Sequence, residues 1–185
     1  MNKTISYAKN LCYLIYGLNI IIFVIFLGAM TYSLIQPQAL DNVIITDSVK
    51  SGVGFGNVKI CSACSVEGDV LLSDINTFSK LWLLARGSAF FLILFLVVNR
   101  ILRILRSVAS REAFYGGNIQ NFKKMATYGF IATVISTFNF FYLHGIAQWH
   151  FTLPLAPLSF AIGCLVLAEV FKEGESLVED KESII

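Results

Sequence analysis

Apolar residues do not alternate with polar ones along this chain. They collect into long blocks at 11–35, 81–98, 128–143 and 151–168, and the polar residues gather between them. Arg86 alone interrupts the second block, and the third and fourth extend through uncharged flanks with Glu169 as the single exception. A helix needs about 20 apolar residues to cross about 30 Å of hydrocarbon. The pattern therefore predicts an all-α membrane protein with four transmembrane helices at 11–35, 79–99, 126–144 and 152–171, forming a single domain. Lys3 and Lys9 precede the first block as in a signal peptide, but the block is too long for a signal core and ends without a clear small-x-small cleavage site, so a retained helix is expected.

Composition agrees with this reading: 14% of residues are charged, against roughly 25% in soluble domains. Where the charges fall sets the orientation. Arg100, Arg103, Arg106, Arg111, Lys123 and Lys124 face a single acid, Glu112, in the connection between the second and third blocks. The connection between the first two holds Asp41, Asp47, Glu67, Asp69 and Asp74 against Lys50, Lys59 and Lys80. Lys/Arg excess marks the cytoplasmic side. This predicts both termini inside, an outer loop at 36–78, a cytoplasmic hairpin at 99–126 built by extending helices two and three, and a cytoplasmic tail at 172–185. In a bacterium the membrane would be the inner one. Asn118, after Gly116-Gly117, is the expected N-cap of the third helix.

Within the outer loop, the β-branched runs at 42–46 and 57–60 flank the glycine-rich 51–56 and suggest a hairpin. The G-x-G-x-G spacing there precedes no helix, so it is not read as a phosphate loop. Ionisable groups at membrane depth are candidates for function. Arg86 can extend its guanidinium toward the outer surface, and Glu169 is expected to pair with Arg100 or Arg103 and lock helices. Asn139, with Thr133, Ser136 and Thr137, reads as interhelical hydrogen bonding. The acidic tail invites pairing with the basic hairpin, and surface pairs of that kind contribute ~0–1 kcal/mol each.

Cys61 and Cys64 form a C-x-x-C that this topology places outside, where disulfides persist. Three readings stand. A thiol–disulfide catalyst, the only enzyme reading considered, needs a route for electrons; four-helix disulfide-generating membrane enzymes carry a second outer cysteine pair, whereas Cys12 and Cys164 here lie in spans near the inner side. A metal site is formally complete as Cys61, Cys64, His144 and His150, but nothing in the spacing forces the four together. The default is a local disulfide or free thiols. No catalytic residue and no cofactor is expected.

Two stretches resemble a known pattern. Residues 117–126, GNIQNFKKMA, are similar to an N-x-x-x-[LF]-[KR]-[KR] segment, and 167–180, LAEVFKEGESLVED, are similar to L-A-E-V-F-x-x-G-x-x-L-x-E-[DE]. Both resemble a bacterial family of small four-helix membrane proteins catalogued as a domain of unknown function (DUF2975-like), often encoded beside a Cro/CI-type helix-turn-helix regulator. The resemblance implies a role with such a regulator. On that reading Arg100, Arg103, Arg106, Glu169, Gly174 and Leu177 are the candidates for docking a partner or locking helices. The lipid bilayer is the expected surrounding and no direct nucleic-acid contact is expected. The residues do not choose between a monomer and a homo-oligomer, and the C-x-x-C lies outside the family pattern.

Overall fold

The computed structural model describes residues 3–36, 44–46, 57–61, 70–71, 76–110, 117–143 and 146–183. Among them are four helices: α1 (Lys3–Ile35), α2 (Thr77–Ala109), α3 (Gly117–Thr137) and α4 (Leu155–Ser183). The strands are β1 (Ile44–Thr46), β2 (Asn57–Cys61), β3 (Val70–Leu71), β4 (Phe138–Leu143) and β5 (Ile146–Pro154). By length and composition, Ile5–Ile35, Thr77–Ala109 and Leu155–Val178 are long and apolar enough to cross a membrane.

The burial pattern is the reverse of a water-soluble core. Leu11, Leu14, Leu18, Ile21, Val24 and Ile25 on α1 are exposed, as are Leu92 and Leu94 on α2 and Ile162, Val166 and Val170 on α4. Asn19, Ser33, Ser79, Lys80, Asn118, Thr133 and Thr137 are buried. An apolar surface this extensive would associate or precipitate in water, whereas hydrocarbon chains cover it without cost. Polar side chains turned toward neighbouring helices are what a bilayer demands.

The helices and strands fall into two compact units. The first comprises residues 1–20, 92–132 and 156–185. Its core is Val97 on α2, Met125 and Ala126 on α3, and Cys164 on α4, with Ile93, Ile101, Ile104 and Tyr128 packed against them. Tyr16 meets Phe95 at 4.6 Å between ring centres, and Phe122 meets Phe171 at 5.0 Å. Small residues bring α3 and α4 together: Ala126 and Ala132 on one, Ala161, Cys164 and Ala168 on the other, all buried. At Gly129 a Cβ would stand 2.9 Å from the Cβ of Ala161 and 3.2 Å from its Cα, so only glycine permits this approach.

The second unit comprises residues 21–91 and 133–155. Phe91 sits between Phe23 and Phe26, at 5.3 and 5.5 Å between ring centres, and the Phe26 ring lies directly on Gly87. Two sheets complete it. β1 pairs antiparallel with β3, and the three-stranded sheet has the order β2-β5-β4.

Three expectations change here. The strands near 42–46 and 57–60 exist but do not pair with each other: β2 pairs with β5, running from Asn57 opposite Pro154 to Cys61 opposite His150. The nine-residue β5 offers a longer antiparallel edge than the short β1 does. The third apolar block is helical only as far as Thr137, and 138–143 is strand, so α3 covers only the first part of the segment expected at 126–144. The run Phe-Asn-Phe-Phe-Tyr-Leu is dense in residues that favour a pleated surface, and Leu143 already pairs back to Ile146. The fourth expected span, 152–171, starts as strand and turns helical at Leu155, where Pro154 ends the ladder. Of the other expectations, the glycine-rich 51–56, Cys64 and His144 lie outside the described residues.

Candidate functional site

In the first unit, the basic residues of α2 act as ties between helices. Arg100 donates from Nη1 to Asn121 Oδ1 on α3 at 3.3 Å, and Arg106 donates from Nη2 to the Tyr13 hydroxyl on α1 at 3.0 Å. Asn118 is inside the first turn of α3 rather than capping it, and its amide Nδ2 donates to Ser107 Oγ on α2 at 2.9 Å. Arg103 is exposed. Arg100 and Ser107, seven residues apart on one face of α2, meet α3, and Arg106, turned from them around the helix, meets α1.

Glu169 does not find Arg100 or Arg103. Its Oε1 accepts from Lys172 Nζ at 2.8 Å, one turn along the same helix, and the two side chains are 62% and 60% exposed. The reason is reach: a three-residue helical spacing places the ammonium beside the carboxylate without crossing to another helix. α4 then continues without a break through Gly174 to Ser183. Glu169, Lys172, Glu173, Ser176 and Leu177 line a shallow depression on one of its faces. Leu177 is 70% exposed, an apolar side chain set among acids.

The second unit holds two cations on α2 that do related things. Arg86 is half-buried; its Nη2 donates to the Ser136 carbonyl at 3.2 Å, and its guanidinium lies 5.9 Å from the centre of the Phe90 ring. Among the described residues its buried Nε has no partner. Lys80 is buried and donates from Nζ to the Ser33 carbonyl at 3.4 Å. Ser136 is in the last turn of α3 and Ser33 in the last turn of α1. The final four carbonyls of a helix have no partner within it and carry the negative end of its dipole, so each cation satisfies a helix end that would otherwise be an orphan. Arg86 does more than extend toward the surface. As a sequence feature Lys80 reads as a loop charge; its place in the first turn of a long apolar helix is the signal that it serves a helix end.

The register sets Cys61 opposite His150, and His150 opposite Asn139 on its other side. Cys12 and Cys164 are free thiols, the latter in the core of the first unit. Among the described residues, no group of three or more His, Cys, Asp or Glu could hold a metal ion.

Three helices long and apolar enough to cross a membrane, with apolar side chains outward and polar ones inward, are the features of a helical membrane protein. No curated protein and no solved structure matches the chain. Residues 73–185, from just before α2 to the end of the chain, match the family described as Protein of unknown function (DUF2975), and the chain belongs to that family.

Proposed function

We propose that this is a non-enzymatic protein of the bacterial inner membrane, with both termini in the cytoplasm, whose cytoplasmic face engages a soluble partner, a Cro/CI-type transcription regulator. Several contacts support the topology. The Arg106–Tyr13 hydrogen bond brings the N-terminal end of α1 to the C-terminal end of α2, and the Phe122–Phe171 contact brings the C-terminal part of α4 to the start of α3. Both chain ends therefore share the unit that carries Arg100, Arg103 and Arg106, and lysine and arginine excess favours the inside.

The observation that carries the partner reading is the continuation of α4. A helix that ended at the bilayer would have no use for a further turn bearing Leu177 at 70% exposure between Glu173, Glu175 and Asp180. An exposed apolar residue with Glu173 four and Asp180 three positions away on the same helix face suits a groove with a basic rim. The regulator is the partner that the family resemblance implies. In detergent, full-length tagged protein is expected to retain a co-expressed Cro/CI-type helix-turn-helix regulator, and deletion of 172–185 to abolish that retention. No retention by the full chain, or equal retention after the deletion, contradicts the proposal.

A further inference from the structure

Lys80 carries a charge that no described residue balances. It is 3% exposed, in the first turn of α2, and among the described residues its ammonium makes one hydrogen bond, to the Ser33 carbonyl at 3.4 Å. Well-formed bonds of this kind are shorter, about 2.7–3.2 Å, and an ammonium has three protons to donate. The described residues of the second unit include no Asp or Glu. A carbonyl at a helix end carries only part of a charge. It eases the burial of a full one without cancelling it, and a buried charge with no opposite charge beside it is costly.

Ser33 supplies a second, independent sign. It is 0% exposed, and its buried Oγ has no hydrogen-bond partner among the described residues. A buried hydroxyl in that state costs stability unless something accepts its proton. Two donors, one of them cationic, thus stand together where α1 ends and α2 begins. An anionic acceptor would satisfy both.

Depth suits one kind of anion. The apolar block 81–98 begins at the residue after Lys80. As helix its length is about 27 Å, close to the whole hydrocarbon thickness of about 30 Å, so Lys80 stands at the edge of that layer. Ile35, Phe78, Leu81 and Trp82 are exposed around this edge, and tryptophan collects at the membrane boundary. Acyl chains can lie on these residues with the phosphate that carries them level with Lys80 and Ser33.

We propose that Lys80 and Ser33 hold a phosphate group, the ammonium donating to one oxygen and the Ser33 hydroxyl to another, with the positive end of the α2 dipole beside them. The flexible four-carbon arm of the lysine lets its ammonium turn from the Ser33 carbonyl to the anion. The phosphate diester of a phospholipid and free inorganic phosphate share this chemistry. The proposal shares no residue with the partner reading, so either can fail alone.

Native mass spectrometry of the full-length protein released from detergent tests it with three probes: dioleoyl phosphatidylglycerol, dioleoylglycerol, which has the same chains and no phosphate, and inorganic phosphate. Phosphatidylglycerol is expected to bind Lys80→Gln about tenfold more weakly than the parent, the worth of one hydrogen bond to a charged group. Ser33→Ala should lose less, and Lys80→Arg should bind nearly as the parent does. Dioleoylglycerol should not distinguish these variants. Lys124→Gln, which removes an exposed lysine on α3, should leave phosphatidylglycerol affinity unchanged. Inorganic phosphate that binds the parent, and binds Lys80→Gln about tenfold more weakly, identifies the free anion as a source. Dependence on Lys80 for phosphatidylglycerol alone identifies the lipid. Equal phosphatidylglycerol affinity of parent and Lys80→Gln, or an equal loss in Lys124→Gln, overturns the proposal. If Lys80→Gln does not keep the helical circular dichroism of the parent, Ser33→Ala decides, and unchanged affinity there overturns it as well.

Discussion

Replacing Gly129 by leucine is expected to destabilise the first unit by about 3 kcal/mol, the upper end of what overpacking a close-packed contact usually costs. The reason is that the obstruction is backbone. A Cβ at this position meets the Cα of Ala161 at 3.2 Å as well as its Cβ at 2.9 Å and Phe160 Cδ1 at 3.2 Å. A flexible side-chain tip could rotate away from an intruding methyl; a helix axis cannot move without disturbing Ala126, Cys164 and the rest of the core. Van der Waals contact between small residues is a main source of helix association in lipid, so pushing α3 from α4 removes it along a whole face. Gly163 is the matched control, because among the described residues nothing lies within 4 Å of a Cβ there. Unfolding in dodecyl maltoside micelles with rising SDS, followed by helical circular dichroism, should show Gly129→Leu losing structure at much lower SDS while Gly163→Leu stays close to the parent. Equal midpoints would mean α3 and α4 are not in contact as described.

The second large effect is expected at Arg86, where two opposing terms decide the sign. A charged side chain within a span costs about 2.5–3.5 kcal/mol at mid-membrane and less toward the surface, so Arg86→Leu relieves a penalty. The same change strands the Ser136 carbonyl, whose bond to a charged donor contributes about 1.5–3 kcal/mol, and removes the contact with Phe90. Because Arg86 is only half-buried and close to one end of α2, the relief is the smaller term, and Arg86→Leu is expected to destabilise by about 1–2 kcal/mol net. Arg86→Lys, which keeps a charged donor, should retain most of that stability. If leucine raised the SDS midpoint, the guanidinium would be a tolerated burden and not a cap.

Where the sequence was informative, it was because a bilayer leaves the chain few choices. Blocks of about 20 apolar residues can only be helices when surrounded by hydrocarbon, and the first, second and fourth blocks became α1, α2 and α4. The third block is equally free of charge but finds a different partner. Its first half packs small residues against α4, while Phe138 to Leu143 folds back onto β5. A hydropathy pattern cannot separate those outcomes, since aromatic and β-branched residues suit both a span and a strand.

The polar ties were legible as residue types and not as pairs. Arg100 and Arg106 stood out as basic at a helical spacing, but Asn121 and Tyr13 became their partners only once α1, α2 and α3 were packed. Glu169 was read as reaching across to α2, although Lys172 one turn away was the nearer cation all along. The backbone pairing of Cys61 with His150 joins two strands whose paired residues are 89 positions apart, nearly half of the chain. No local pattern encodes a contact of that length.

The orientation of the chain supports everything said about the partner, and single-cysteine labelling in intact cells tests it most directly. Two variants are needed in a background with Cys12, Cys61, Cys64 and Cys164 changed to serine: one with Ser51→Cys in the 36–78 connection, the other with Ser110→Cys just past α2. A membrane-impermeant maleimide should modify Ser51→Cys in whole cells and reach Ser110→Cys only after permeabilisation. The reverse pattern would put the arginine-rich connection outside, leaving the acidic end of α4 facing away from any cytoplasmic regulator.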